Sequence, residues 1–150
     1  MGKRLRRFCE KDMKKRKPLI FVQDFGTYTN EMLVLVGVEN KKEVFTYLKR
    51  IKAKVDFSKW VLEDFDSWKE RIEEKKQKGL FCWNDEVEGT VLLLRPFEDT
   101  WEYWEVLLHE IHHAVDYLVK NNLMEKEIEA QAYLFEYLFR SIRRKLQRIE

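Results

Sequence analysis

The chain holds few of the side chains that crosslink small proteins or bind metals. Its 150 residues include two cysteines and three histidines. The two cysteines, Cys9 and Cys82, form no C-x-x-C pair. Two such distant cysteines indicate no disulfide framework.

Long apolar runs are also absent. The longest aliphatic run near the centre, Val91 to Leu94, is far too short to cross a bilayer. The basic start of the chain leads only to Leu19–Val22, which is too short for the apolar core of a signal peptide. We found no repeats, linkers or glycine-rich phosphate loops. We therefore expect no membrane partner and a cytoplasmic location.

The composition nevertheless supports a folded domain. Hydrophobic residues make up 45% of the chain and aromatic residues 14%, which argues against disorder. A length of 150 residues is enough for one domain with a substantial core.

The net charge of +2 conceals a basic N-terminal segment. Residues 3–17 contain nine lysines and arginines against Glu10 and Asp12, and the remaining residues hold 20 basic and 25 acidic side chains. We therefore divide the chain into a basic arm, residues 1–17, and a domain, residues 18–150. Such an arm can bind nucleic acid through its phosphates, or it can be a solvated tail.

Hydrophobic periodicity predicts an α+β fold with a small, mostly antiparallel sheet. The predicted strands are Leu19–Phe25, Met32–Val38, Leu80–Trp83 and Thr90–Leu94, and helices are predicted around Val44–Ile51, from Ser58 to a stop at Gly79, around the histidines, and over Met124–Arg148. The last helix is apolar on nearly all sides from Ile128 to Phe139, which predicts a central place in the core. Thr90–Arg95 is the candidate edge strand for peptide binding, and an ordinary hairpin that covers the core is the alternative.

The three histidines lie within five residues, in His109-Glu110-Ile111-His112-His113. One helical turn separates His109 from His113, so both rings project from one face and can share a metal ion. Glu110 lies beside them, where it can take a proton from a metal-bound water. This H-E-x-x-H arrangement is typical of zinc peptidases of the zincin type.

The helix around this motif is amphipathic. Asp99 is the expected N-cap, with Glu102 closing a capping box. Apolar residues at three- and four-residue spacing form one face: Trp104, Leu107, Leu108, Ile111, Ala114, Val115 and Leu118. The opposite face carries both His109 and His113, so we expect the pair to point away from the core. Asp116, one turn after His113, is a candidate for orienting a ligand.

Catalytic zinc needs a third protein ligand, and no histidine exists outside this five-residue motif. A carboxylate on the following helix is the natural source. The first helix runs about seven residues beyond His113 before the chain reverses. A residue early in the second helix therefore returns to the level of the histidines along the helix axis. Glu129 fits this geometry, Glu125 is an alternative one turn earlier, and Glu136 lies two turns later.

The pattern from His109 to Tyr117, followed by Glu129-Ala-Gln-Ala-Tyr133, resembles the small zinc metallopeptidases of phages and related mobile elements. In these gluzincin-like proteins H-E-x-x-H-A is followed by E-x-x-A on the next helix. The resemblance covers roughly residues 89–140. It implies a minimal zincin-like domain in which His109, His113 and Glu129 bind Zn²⁺ and Glu110 is the base. His112, unusual at its position, could be an extra ligand or a substrate contact.

The sequence thus predicts a zinc metallopeptidase that acts on a peptide or protein. Zinc would lower the pKa of a bound water, and Glu110 would carry its proton to the leaving amine. The main alternative is a non-enzymatic, phage-type regulatory or nucleic-acid-binding protein that uses residues 3–17 and has a structural or inactive metal site. A zincin fold acting on something other than peptide is a third interpretation.

Overall fold

The computed structural model describes residues 17–26, 28–53, 55–87, 89–121 and 128–148. Apart from Lys17, the basic arm lies outside these residues, as does Glu125. The described elements are β1 (Leu19–Phe25), β2 (Tyr28–Val36), α1 (Lys41–Arg50), α2 (Ser58–Glu73), β3 (Gly79–Asn84), β4 (Gly89–Leu94), α3 (Trp101–Asn121) and α4 (Ile128–Gln147). The predicted α+β class is confirmed.

The four strands form one mixed sheet in the order β1-β2-β4-β3. The pairs β1–β2 and β3–β4 are antiparallel, whereas β2 and β4 run parallel, with Glu31 opposite Gly89 and Val36 opposite Leu94. The sheet is therefore mostly antiparallel by count, with a parallel pair at its centre.

The predicted edge strand is wrong. β4, which contains most of Thr90–Arg95, lies between β2 and β3, and all six of its residues are buried. Its continuous apolar sequence is typical of a strand covered on both faces. β3 takes the edge position instead, because among the described strands it pairs only with β4.

Helices cover both faces of this sheet. Alternate residues of the central strands contribute to two separate cores, as strand geometry requires. On β2, Met32, Val34 and Val36 pack with α3 and α4, whereas Leu33 and Leu35 pack with α1 and α2. The domain thus has three layers, and α3 is anchored to the sheet by one side only.

Two helix predictions need correction and one is confirmed. α2 buries Val61, Phe65, Trp68 and Ile72, as expected, but it ends at Glu73, and Gly79 begins β3 instead of stopping the helix. α4 is not buried on all sides. Its buried residues, Leu134, Leu138, Ile142 and Leu146, form a single stripe at four-residue spacing, and Ile128, Tyr133 and Tyr137 are exposed.

Within the described residues, none of the helices combines the length and the apolar character that a membrane span requires.

Candidate metal centre

α3 carries the H-E-x-x-H motif at the middle of its 21 residues. The expected N-cap at Asp99 is wrong: the Thr100 hydroxyl accepts a hydrogen bond from the Tyr103 amide at 3.3 Å, while the Asp99 carboxylate accepts one from the Trp104 indole at 2.9 Å. A threonine cap satisfies the same free amide groups at the helix start. The motif therefore lies two turns inside a well-anchored helix.

The histidine pair has the predicted arrangement. His109 and His113 are exposed, and their Nε2 atoms lie 3.1 Å apart. Their rings are nearly perpendicular, at 86°, with centroids 4.7 Å apart. Spacing of one turn on a polar helix face thus brings two imidazole nitrogens to a common point, as expected.

Glu110 has a different environment from the histidines around it. Its side chain is buried, with 7% exposed, between α3 and the start of β3. A Cβ atom at Gly79 would lie only 3.1 Å from Glu110 Cγ. Burial raises the pKa of the Glu110 carboxyl, and the electrostatic influence of His109, His113 and Arg71 offsets part of that rise. The carboxylate is therefore held in place by packing and is a stronger base than an exposed glutamate.

A cleft of about 380 Å³ opens beside this carboxylate. One wall is α3 and the other is the segment that leads into β3. The lining residues are Gln77, Lys78, Gly79, Glu102, Glu105, Val106, His109 and Glu110. His109 and Glu110 thus face a common space that is open to solvent.

The structure does not bring Glu129 to the histidine pair. Among the described residues, no group of three or more His, Cys, Asp or Glu side chains is placed to hold a metal ion. Trp104 on α3 contacts Phe139 on α4, with ring centroids 6.2 Å apart. Since the chain returns from the end of α3 to the start of α4, the helices run antiparallel, and this contact places Glu129 close to the level of His113. However, His113 follows Trp104 by nine residues, two and a half turns, and so projects from the opposite side of α3.

The other residues singled out in the sequence have separate partners or positions. Glu136 lies within the run from Ile128 to Phe139 that the sequence predicts to be apolar on nearly all sides, but it is exposed and forms an ion pair with Arg140. Asp116 forms an ion pair with Lys120 at 3.0 Å on the exposed face of α3. His112 is exposed, with its ring centroid 6.4 Å from that of His113.

The histidine pair fits zinc as two of its ligands. At the usual Zn–N distance of about 2.0–2.1 Å, nitrogens 3.1 Å apart subtend an angle of about 95–100° at the metal, close to tetrahedral. Both ligands come from one rigid helix, which fixes that separation. The same distance also permits a hydrogen bond in which one ring donates and the other accepts.

Three residues near this centre were not anticipated from the sequence. Gly79 allows β3 to approach Glu110. Trp83 and Tyr117 contact each other beyond His113, with ring centroids 6.1 Å apart and ring planes tilted by 37°. Tyr117 could have been found, because it continues the four-residue spacing of His109 and His113. Gly79 and Trp83 could not, because their role depends on how β3 packs against α3.

The chain matches no protein-family model, and comparisons with curated proteins and with solved structures also find no match.

Proposed function

We propose that this protein is a zinc-dependent peptidase of the zincin type. The observation that carries the proposal is the convergence of the His109 and His113 Nε2 atoms, 3.1 Å apart, beside the buried Glu110 carboxyl and an open cleft. Two neutral nitrogen ligands, a base and a space for substrate are the parts that metal-assisted hydrolysis needs.

Zinc in this position would lower the pKa of a coordinated water and polarise a carbonyl group of the substrate. His109 and His113 would be its ligands. We propose Glu129, with Glu125 as the alternative, as the third ligand on the strength of the E-x-x-A pattern, although the described residues do not place Glu129 beside the pair.

Glu110 would act as the general base and not as a ligand. It follows His109 directly, so its side chain is rotated by about 100° from that ligand and turns toward β3. Its carboxylate would accept a proton from water and donate it to the departing amine nitrogen. Burial raises the pKa of the Glu110 carboxyl above that of an exposed glutamate, which favours its acceptance of a proton.

The edge strand β3 offers a binding site for the peptide backbone. β3 lies beside α3, and Gly79 at its start faces Glu110. An extended peptide that added to this edge would satisfy backbone groups through strand pairing and would pass alongside the histidine pair. We therefore propose that Gly79–Asn84, and not Thr90–Arg95, is the strand that binds the peptide substrate.

The two alternative functions receive no such support from the described residues. The basic residues 3–16, on which nucleic-acid binding would depend, lie outside them. A zincin-like enzyme acting on a bond other than a peptide would use the same ligands and base, so the substrate assay distinguishes it.

The experiment is Glu110→Gln assayed beside the wild type on a broad peptide library, with zinc content measured on both. We expect unchanged zinc content and a loss of hydrolysis of about two or more orders of magnitude, because the amide cannot accept the proton. Glu105→Gln, a carboxylate in the same cleft, is the control and should retain activity. Equal hydrolysis by Glu110→Gln and the wild type would remove Glu110 from the mechanism.

A further inference from the structure

We propose that Phe81, Trp83 and Tyr117 form a subsite for an aromatic or large aliphatic side chain of the substrate. We refer to these three residues as the aromatic subsite. The inference rests on the proposed peptidase function and adds to it a substrate preference.

The aromatic subsite is built from the same two elements as the candidate metal centre. Tyr117 follows His113 by one turn on α3, while Phe81 and Trp83 follow Gly79 by two and four residues on β3. Alternate strand residues share a face, so Gly79, Phe81 and Trp83 all point toward α3. The strand thus presents Gly79 to Glu110 and two aromatic rings to the helix beyond the histidines.

The three rings form a triangle with nearly equal sides. Their centroids lie 6.1 Å apart for Trp83–Tyr117 and 6.2 Å apart for both Phe81–Trp83 and Phe81–Tyr117. The Tyr117 hydroxyl donates to the Asp85 carboxylate at 3.4 Å, which helps to fix that ring. The arrangement is ordered by side chains on both elements before any ligand binds.

The exposed fractions of these rings show which part of the aromatic subsite is open to solvent. Phe81 is 8% exposed and forms the base, whereas Trp83 remains 56% exposed at the edge of the sheet. A ring supported on one side and open on the other gains contact area when an apolar group covers it. Trp83 therefore has an open ring face on the edge strand that an apolar side chain of a bound peptide would cover.

The position of the aromatic subsite sets which substrate residue it would receive. One turn of α3 separates it from His113, a rise of about 5.4 Å. An extended peptide advances about 3.3 Å per residue, so this distance corresponds to about two residues from the cleaved bond. The subsite itself contains no charged group, and the adjacent Asp85 disfavours an acidic side chain.

The test measures binding by the full-length, zinc-loaded protein without turnover. The probes are acetohydroxamate and two series of peptide hydroxamates that vary the second residue on either side of the hydroxamate among Phe, Leu, Ala and Glu. In one of the two series, we expect the hydroxamates with Phe or Leu at the varied position to bind about tenfold or more tightly than those with Ala or Glu. Trp83→Ala should reduce that preference to about twofold or less, with unchanged zinc content and acetohydroxamate affinity.

Two further variants separate the aromatic subsite from general effects. Tyr117→Phe keeps the ring and should keep the preference. Trp101→Ala removes a tryptophan that is 77% exposed at the start of α3, and it should change nothing. A preference that is missing from the wild type, or that survives Trp83→Ala, overturns the aromatic subsite and leaves the peptidase proposal intact. If neither acetohydroxamate nor any peptide hydroxamate binds the zinc-loaded protein, both proposals fail.

Discussion

Gly79 on β3 and Glu110 on α3 lie so close together that no side chain fits between them. A Cβ atom at Gly79 would stand 3.1 Å from Glu110 Cγ and 2.8 Å from Val106 Cγ1. The proposed base is therefore positioned by the absence of a side chain on the neighbouring strand.

Gly79→Ala should test this contact. The added methyl group must displace Val106, whose branched side chain has little freedom on a helix. We expect a loss of about 1–3 kcal/mol in the free energy of unfolding, measured by urea denaturation, together with reduced hydrolysis.

Val106→Ala provides the matched control for that substitution. The double variant Gly79→Ala/Val106→Ala should be more stable than the sum of the two single effects predicts, because the second change creates room for the methyl group. Strict additivity of the two effects would contradict the proposed contact.

Local patterns were sufficient to predict the elements and part of the site. The spacing of Val61, Phe65, Trp68 and Ile72 identified the buried face of α2, and the one-turn spacing of His109 and His113 predicted their convergence. Both features depend only on the geometry of a single helix.

Features that depend on contacts between distant segments could not be predicted in the same way. The sequence of β4 indicates a buried strand, but it does not specify that β2 pairs with it in parallel and moves β3 to the edge. In α4, apolar residues such as Tyr133 also occur on the exposed side. The single stripe that packs on the sheet therefore cannot be recognised from the sequence pattern alone. The relative placement of α3 and α4 likewise decides where Glu129 lies.

A pH-dependent contact joins α4 to β1. The Tyr137 hydroxyl donates a hydrogen bond to the Asp24 carboxylate, and this bond is the main cause that lowers the Asp24 pKa below its usual 3.8. A carboxyl group whose pKa is lower in the folded state than in the unfolded state stabilises the fold at pH values above the unfolded-state pKa. This stabilisation is lost as the pH falls through the folded-state pKa.

Tyr137→Phe should therefore destabilise the protein more at pH 7 than near pH 3, as measured by urea unfolding at both values. The Asp24 pKa, followed by NMR, should rise toward its usual value. Tyr133→Phe on the same helix is the control, since Tyr133 is 66% exposed, and it should have little effect at either pH. A Tyr137→Phe effect of the same size at both pH values would show that the hydrogen bond does not control the Asp24 charge.

The proposed third zinc ligand can be tested by separate substitutions at Glu125, Glu129 and Glu136. We predict that Glu129→Gln weakens zinc binding most, because Glu129 matches the E-x-x-A pattern. Glu129 lies close to the level of His113 but on the other side of α3, so its binding to zinc would require α4 to shift relative to α3. Glu136→Gln should leave zinc affinity unchanged, since that carboxylate pairs with Arg140. Normal zinc affinity in Glu129→Gln, with weakened affinity in Glu125→Gln, would assign the ligand to Glu125 instead.

Zinc content and affinity of the histidine variants test the central claim most directly. The wild type, purified without chelators, should bind about one zinc ion per chain, and His109→Ala or His113→Ala should abolish that binding. His112→Ala, which removes an exposed histidine from the same helix, should retain it. If the wild type takes up no zinc, or if all three variants bind it equally, the close approach of His109 and His113 is only a hydrogen bond and the peptidase proposal is wrong.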